Sequence, residues 1–511
     1  MSLNLNDGKA MKHIYRIPLL LLGVLLSFNS CDSDNDDPII GPDVPPAEED
    51  SKTPILTSED GSAIVNTGEI VVGNEETDVV FDMVSTILSP TEGRIEEHTI
   101  NCVGMAAARL IGEDFKEQDM SSIVKDATII NRGTITVHTK DIVAKYADLV
   151  QDPDHKDRKF TYLRVLVMYG GKNNLLVNEG TINVYFDHDP YTKITVYVMA
   201  MSGSKESTLV NRGSINFYGN GSVATRMRGM ASFGNGMTLI NDNTITADVD
   251  LAEDSRMITT GGSNMTVVNN GVMNATCSGT LLGMTRFGDN CLINNGSIKL
   301  VSKCTPEGYK NITDLPHRCV AGLFDMIETA RPAVTSPILN RGDIDITVAG
   351  VNPEDSCRKA GGIVIMSTAG KLPFDYHDEV RNEGTIKYHD EGGRGNIAAE
   401  GFFCAVSPKF PIYVNVDQWN TTLRDFKKKP LFAIMGCNFN LNVANICLSK
   451  ADGYKEGTEY SVALGDIIKN GLSPMNNIIG YDNMRFSSAD NTLDVLLNKE
   501  METVALVTKS E

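Results

Sequence analysis

Nine short segments of this chain share one pattern: an asparagine, a glycine two residues later, and an isoleucine two residues after that. The segments are IVNTGEIVV at 64, IINRGTITV at 129, LVNEGTINV at 176, LVNRGSINF at 209, LINDNTITA at 239, VVNNGVMNA at 267, LINNGSIKL at 292, ILNRGDIDI at 338 and VRNEGTIKY at 380. Asn243 is the single replacement for the glycine, and Met273 the single replacement for the isoleucine. Self-similarity at a spacing of 25 to 33 residues between the central copies predicts a solenoid.

Each column of the repeat has a structural meaning. The isoleucine column is entirely apolar, and the column two residues after it is nearly all apolar. The residues between these two columns are mostly polar. This alternation with a period of two residues is typical of a strand with one buried face. Glycine with asparagine as its one substitute predicts a left-handed backbone at the turn. The repeat asparagines are expected to face inward and to hydrogen-bond between coils. They are Asn66, Asn131, Asn178, Asn211, Asn241, Asn269, Asn294, Asn340 and Asn382.

A third apolar stretch precedes many of the repeats, as in VLVMYG at 165 and VYVMAM at 196. Three short strands in each unit predict an all-β, single-stranded, right-handed parallel β-helix with capping elements at both ends. A leucine-rich solenoid would need a helical stretch in each repeat, and a propeller would need four strands in each unit, so both are disfavoured.

The Asn-x-Gly-[Ser/Thr]-Ile repeats resemble those of pectin-lyase-like right-handed β-helices and of bacterial autotransporter or adhesin passenger domains. The resemblance covers roughly residues 60–450. It implies a fold and says almost nothing about chemistry, because every matching position is structural.

The predicted organisation has four parts. Residues 1–31 form a signal peptide, with a true start expected at Met11, a basic region at Lys12 and Arg16, and an apolar run too short to span a membrane. The end of this segment at Cys31, followed by DSDNDDP, resembles the signal of a Bacteroidetes surface lipoprotein, which implies lipidation of Cys31 and an outer-membrane, cell-surface location. Residues 32–52 are expected to be an acidic disordered tether, 53–450 the β-helix, and 451–511 a C-terminal β cap. A short helix is expected near residue 106.

The charge balance restricts the partners. A net charge of −20 excludes nucleic acid as a partner, because the phosphates would be repelled. Of the cysteines, Cys277, Cys291, Cys437 and Cys447 are expected to be small buried hydrophobes, while a disulfide joining Cys304 to Cys277 or to Cys319 is left open.

Candidate sites come from acidic residues that share a phase in adjacent coils. Asp187 and Asp250 lie nine residues past their asparagines, with Asp189 and Asp248 two residues away and His188 between Asp187 and Asp189. These four aspartates are the candidate calcium ligands, and Asp187, Asp189 and Asp250 the candidate catalytic carboxylates. A chance alignment of loop aspartates in an acidic protein is the favoured alternative.

Two further groups stand out. Tyr388-His389-Asp390-Glu391, with Arg394 nearby, is either a site or a solvated loop. Arg228 and Arg256 share a phase and form either a basic stripe or pairs with acidic neighbours.

No metalloprotease, nucleophile-elbow, phosphate-loop or EF-hand motif occurs in the chain. A non-catalytic surface protein that binds a polysaccharide, a host or cell-surface glycan, or a protein is therefore favoured, with membrane attachment through its lipid and no cofactor other than a candidate calcium. The alternative is a polysaccharide lyase or glycoside hydrolase of the same fold.

Overall fold

The protein is a parallel β-helix with three rows of strands, here seen in a computed structural model. The structure describes residues 56–73, 79–89, 93–108, 110–111, 117–118, 124–145, 160–188, 194–303, 319–327, 336–349, 359–367, 377–391, 397–405, 412–470 and 477–509. Within these ranges each coil contributes one strand to each row, and strands in a row pair in parallel with the coils before and after. We number coils 1 to 9 by their repeat asparagines, from Asn66 to Asn382.

The first row holds the strands that end at the repeat asparagines and their continuation. These strands are Ala63–Asn66, Thr128–Asn131, Leu175–Asn178, Thr208–Asn211, Thr238–Asn241, Met265–Asn269, Asn290–Asn294, Pro337–Asn340, His377–Asn382, Ile412–Thr422, Cys437–Asn440 and Asn477–Ile479. Two more strands, Asn445–Ser449 and Arg485–Ser488, extend from the second half of Ile412–Thr422.

The second and third rows follow the turn. The second row consists of Glu69–Val72, Thr134–His138, Thr181–Phe186, Val272–Cys277, Ser297–Ser302, Asp343–Val348 and Thr385–Asp390. The third consists of Gly93–Ala107, Phe160–Gly170, Ile194–Lys205, Thr280–Arg286, Cys319–Ile327, Lys359–Ser367, Ile397–Ala405, Phe432–Met435 and Ile468–Asn470. Two long strands, Ser214–Asn235 and Thr244–Ser263, run through both rows.

The repeat asparagines form the predicted ladder. In eight consecutive steps from Asn66 to Asn382, the Nδ2 of one asparagine donates to the Oδ1 of the next at 2.7 to 2.8 Å. All nine are 0 to 2% exposed. The ladder ends where Asn382 Nδ2 donates to the carbonyl oxygen of Asn420 at 2.7 Å. Because every buried amide is satisfied by its neighbour, the ladder fixes the register of the coils.

The expected left-handed backbone at the repeat glycines is wrong. None of the nine residues in that column, all within the described chain, has a positive φ. Glycine is required there for space: a Cβ on Gly133, Gly180 or Gly213 would lie 2.0 Å from the carbonyl oxygen of the glycine one coil earlier. At Asn243, the exception, the Thr244 N to Gly213 O hydrogen bond lengthens to 3.3 Å, against 2.9 Å for Ser214 N to Gly180 O. A side chain at this position is therefore accommodated only where the spacing between the two coils increases.

The core is one continuous cluster along the interior. The isoleucine column is 0 to 9% exposed in all nine coils, which confirms its inward orientation. A second, smaller cluster lies around Leu282, Phe324, Val364 and Phe402 of the third row. These four residues alternate with core positions along their strands, so both faces of this part of the row are apolar.

The residue between the asparagine and the glycine adds an external ladder, which we call the turn column. Its members are Thr67, Arg132, Glu179, Arg212, Asp242, Asn270, Asn295, Arg341 and Glu383. Arg132 Nε lies 2.8 Å from Glu179, Arg212 lies 3.8 Å from both Glu179 and Asp242, and Asn270 Nδ2 donates to Asp242 at 2.8 Å. Opposite charges therefore meet in successive coils, which supports the correct order of stacking.

At both ends of the described β-helix there are strands that do not belong to its regular coils. Val79–Ser89 pairs antiparallel with Gly93–Ala107. Leu56–Thr57 pairs in parallel with Ala106 and Ala107. Leu110–Ile111 pairs antiparallel with Glu117–Gln118. The expected helix near residue 106 is wrong, because Ala106 and Ala107 pair within the sheet; an α-helix occurs instead at Thr139–Lys145.

At the other end, parallel pairing continues past the expected boundary at 450, as far as Ser488. The final coil was not visible in the sequence because it has no Asn-x-Gly turn. An antiparallel sheet of Tyr460–Ser461, Leu493–Asn498 and Thr503–Thr508 follows, with a short helix at Leu464–Ile467 and a 3₁₀ turn at Tyr481–Asn483. No helix within the described residues is long and apolar enough to cross a membrane.

Cys277 and Cys437 are buried as expected, whereas Cys447 is only half-buried. Neither Cys277 nor Cys319 forms a disulfide, so neither of the two pairings with Cys304 that were left open occurs. Cys291 is buried, as expected, but it is disulfide-bonded. Since no other described cysteine forms a disulfide, its partner lies outside the described residues. Cys31, the tether and Asp189 also lie outside them.

Candidate functional site

The outer surface of the second row carries aromatic side chains at the same position in three successive coils. His138, Tyr185 and Tyr218 are in register in coils 2, 3 and 4. The rings of His138 and Tyr185 stack at 4.8 Å with an interplanar angle of 9°, and those of Tyr185 and Tyr218 at 5.3 Å and 23°. Tyr218 is 37% exposed. We call these three residues the aromatic column; in coil 5 the same column is occupied by Asp248.

An amide column runs beside the aromatic column, two residues earlier in each strand. Asn216 Nδ2 donates to Asn183 Oδ1 at 3.0 Å, and Thr246 Oγ1 donates to Asn216 Oδ1 at 2.7 Å. These side chains are half-buried. The face therefore combines aromatic rings with ordered polar groups.

Asp187 lies at one side of the aromatic column and is fully engaged with coil 2. Its carboxylate accepts the backbone N–H of Lys140 at 2.9 Å, and its Oδ2 lies 3.1 Å from His138 Nδ1 and 3.7 Å from Lys140 Nζ. Burial raises the pKa of Asp187, but the Lys140 N–H and the His138 imidazole more than offset this, and its pKa lies below the ordinary value. Asp187 therefore anchors the start of the Thr139–Lys145 helix and positions the His138 ring.

The other predicted carboxylates are spread along the face. The register of coils 4 and 5 on both sides of Asn220 places Asn220 opposite Asp250. The register of coils 3 and 4, which ends at the pair Phe186 and Gly219, continues with Asp187 opposite Asn220. Asp187 and Asp250 therefore occupy the same position in their coils, as predicted. Two coil steps nevertheless separate them by about 10 Å. Asp250 pairs with Lys303, and Asp248 is exposed in the aromatic column.

Within the described residues, no group of three or more His, Cys, Asp or Glu side chains could hold a metal ion. A calcium site that includes Asp189 stays a prediction, as does a catalytic role for Asp187, Asp189 or Asp250. His188 is turned away from solvent, 7% exposed, with its Nδ1 2.9 Å from Thr139 Oγ1.

Arg228 and Arg256 lie on the outer surface of the third row and are joined by a carboxylate. Asp254 Oδ2 accepts from Arg228 at 2.6 Å and from Arg256 at 2.8 Å. Burial raises the pKa of Asp254, but the two guanidinium groups lower it strongly overall. Burial also lowers the pKa of Arg228, despite its partner. Of the two alternatives for these arginines, the structure shows pairing with an acidic neighbour.

The group around Tyr388 is not brought together. Tyr388 packs half-buried against the core, while His389 Nε2 lies 3.5 Å from Asp345 on the exposed surface. Glu391 is exposed, and Arg394 and the side chain of Asp390 lie outside the described residues. Arg381, from the same coil, pairs with Glu383 and Asp417.

A buried ionic cluster was not anticipated from the sequence. Arg286 is 0% exposed and donates from Nη2 to Asp325 Oδ2 at 2.9 Å and to Asp378. Its Nη1 donates to the carbonyl oxygens of Asn290 and Ser336. The enclosure of this cluster at the corner between the third and first rows makes it a structural feature, out of reach of a ligand.

The aromatic column was also missed, although the sequence contains its signal. His138, Tyr185 and Tyr218 each lie seven residues after a repeat asparagine, as does Asp248. The residue types at outward-facing positions vary from coil to coil. The three aromatic residues at this position were therefore recognised as a column only once the register of the strands was known.

The comparisons with known proteins agree with the fold. A family model described as the BigA third pectate lyase-like domain matches residues 43–244. This match covers coils 1 to 4 and the start of coil 5, including the aromatic column, and supports a pectate-lyase-like β-helix. Neither the curated proteins nor the solved structures give a significant match to the chain.

Proposed function

We propose that this protein is a lipid-anchored surface protein that binds a polysaccharide along the outer face of its second row and does not cleave it. The observation that carries the proposal is the aromatic column, which presents the rings of His138, Tyr185 and Tyr218 beside the amide column. Because the rings stack on one another, the column presents mainly their edges to the C–H surfaces of sugars, and amides and carboxylates accept hydrogen bonds from the sugar hydroxyl groups.

The surface location rests on separate observations. The apolar segment that ends at Cys31 and the acidic stretch after it are typical of a lipidated export signal. The disulfide at Cys291 supports an oxidising compartment outside the cytoplasm. The acidic tether would hold the β-helix away from the membrane.

The test is affinity electrophoresis of the purified protein in gels that contain neutral or acidic polysaccharides from plant, host and microbial sources. We expect at least one glycan to retard the protein. The double variant Tyr185→Ser/Tyr218→Ser should migrate as though no glycan were present. Phe233→Ser is the matched control, because Phe233 is an aromatic residue 41% exposed in the third row. Equal retardation of the wild type and the double variant would reject this face as the binding surface.

A second candidate function, polysaccharide cleavage, is favoured by one observation. Asp254 and Arg228 are nearly enclosed and both have shifted pKa values, a property that is common at active sites. Structural ion pairs shift pKa values in the same way, and each group here is engaged by the other. Release of new chain ends by the wild type, and its loss in Asp254→Asn, would establish this second function.

A further inference from the structure

The aromatic column stops at Tyr218, and an aspartate occupies the same position in the next coil. One face of the Tyr218 ring is covered by Tyr185 at 5.3 Å. The other face is directed along the helix axis toward coil 5, where the column continues with Asp248. An aspartate reaches much less far from the backbone than a tyrosine, so the outer part of this ring face is left uncovered, in agreement with its exposure of 37%.

From this geometry we propose that Tyr218 and Asp248 form a subsite for one uncharged pyranose ring of a polysaccharide. The proposal rests on the glycan-binding function proposed above and specifies which sugars that face accepts. A pyranose stacked on Tyr218 would take the place of a fourth ring in the column, since successive coils are about 4.8 Å apart.

The polar groups around this position fit the edge of a sugar ring. The Asp248 carboxylate is exposed at the level of coil 5, where it can accept hydrogen bonds from two neighbouring hydroxyl groups. Thr246 and Asn216 are hydrogen-bonded to each other on the side nearer the turn. Asp250, paired with Lys303, lies on the opposite side, two residues beyond Asp248.

The charges of the subsite select against acidic sugars. Asp187 and Asp250 each have a cationic partner, in Lys140 and Lys303, and Asp248 adds one more negative charge beside the open ring. A uronate or a sulfated sugar would place a further anion against this carboxylate in a protein whose net charge is already −20. A neutral ring meets no such repulsion and keeps its hydrogen bonds.

The test compares two polysaccharides with the same α-1,4-linked galacturonate backbone, one with its C6 carboxylates methyl-esterified and therefore neutral, the other free polygalacturonate, with a neutral β-glucan as a second uncharged probe. Binding of the purified protein is measured by titration calorimetry at low and at moderate salt. We expect the wild type to bind a neutral glycan and not polygalacturonate. Tyr218→Ala should weaken neutral binding about 5- to 10-fold through the loss of stacking, and Tyr218→Phe should keep it.

Asp248→Asn should weaken neutral binding about tenfold, because its hydrogen bonds lose their charge assistance. The same substitution should also reduce the difference in affinity between the neutral glycan and polygalacturonate. Asp494→Asn, which removes an exposed carboxylate from the distant C-terminal sheet, is the charge-matched control and should change neither value. Circular dichroism spectra that coincide with the wild type establish that each variant is folded.

The outcomes separate this inference from the proposed function. Neutral-glycan binding that is unchanged in both Tyr218→Ala and Asp248→Asn would overturn the subsite while leaving a glycan-binding face in place. Preference of the wild type for polygalacturonate would overturn the assignment to uncharged sugars. Failure to bind any glycan would reject the proposed function itself, and the subsite with it.

Discussion

At the scale of single residues, the turn glycines are required for close packing between coils. A Cβ at Gly213 would lie 2.0 Å from the Gly180 carbonyl oxygen, whereas a Cβ at Gly68, in coil 1, meets nothing within 4 Å. We therefore expect Gly213→Ala to lower the midpoint of denaturant unfolding markedly, by about 2 kcal/mol or more in free energy, and Gly68→Ala to change it little. A similar loss in both variants would indicate that the backbone conformation, and not the clash, requires glycine.

The asparagine ladder gives a second prediction at this scale. Asn241→Ala removes the acceptor of Asn211 Nδ2 and the donor to Asn269 Oδ1, leaving two buried groups without their partners at a cost of roughly 1–3 kcal/mol each. Asn66→Ala, at the end of the ladder, breaks one ladder step, to Asn131, and the hydrogen bond from the half-buried Gly68 N–H, and should cost less. Thermal unfolding of the two variants, compared with the wild type, measures the difference.

The structural roles of some residues could be predicted from the sequence, and those of others could not. The ladder and the apolar columns repeat at a fixed offset, so periodicity alone located them. The glycine column was identified correctly but explained wrongly, because a clash with the preceding coil leaves the same sequence signature as a left-handed turn. Arg286 and its two aspartates come from three different coils, and their meeting depends on the register between those coils, which the sequence does not display.

At the scale of elements, the turn column links successive coils through alternating charges. Arg212→Glu would place three acidic side chains in succession, at Glu179, residue 212 and Asp242. We expect a loss of about 1 kcal/mol at low salt that shrinks in 1 M salt, since exposed charges are screened over about 3 Å there. Arg212→Gln is the neutral control. A salt-independent loss would point to packing and not to charge.

The Arg228–Asp254–Arg256 cluster joins two coils of the third row and makes stability depend on pH. The pKa of Asp254 is lower in the folded protein than the unfolded value of about 3.9, so its contribution is complete above that value and disappears as the pH falls toward the folded pKa. Asp254→Asn should cost about 3 kcal/mol at neutral pH. The difference from the wild type should narrow steadily below about pH 4. A constant difference from pH 7 down to pH 2 would contradict the assignment.

At the scale of the whole molecule, we propose that a lipid on Cys31 attaches the β-helix and its aromatic column to the membrane. The predicted anchor can be tested alone: Cys31→Ala should move the protein from the membrane fraction to the soluble fraction and abolish incorporation of a labelled fatty acid. Retention of the label would place the lipid elsewhere. The β-helix was predictable from the sequence because the same repeat specifies many coils. The function was not predictable, because it depends on the side chains that point outward, and these differ from coil to coil.

The most direct test of the account is to incubate the purified protein, with and without calcium, against the polysaccharide panel and to assay retention and new chain ends in the same samples. We predict that a glycan is retained, that no new chain ends appear, and that retention is lost in Tyr185→Ser/Tyr218→Ser. New chain ends, with or without calcium, would contradict the central claim that this β-helix binds its polysaccharide without cleaving it.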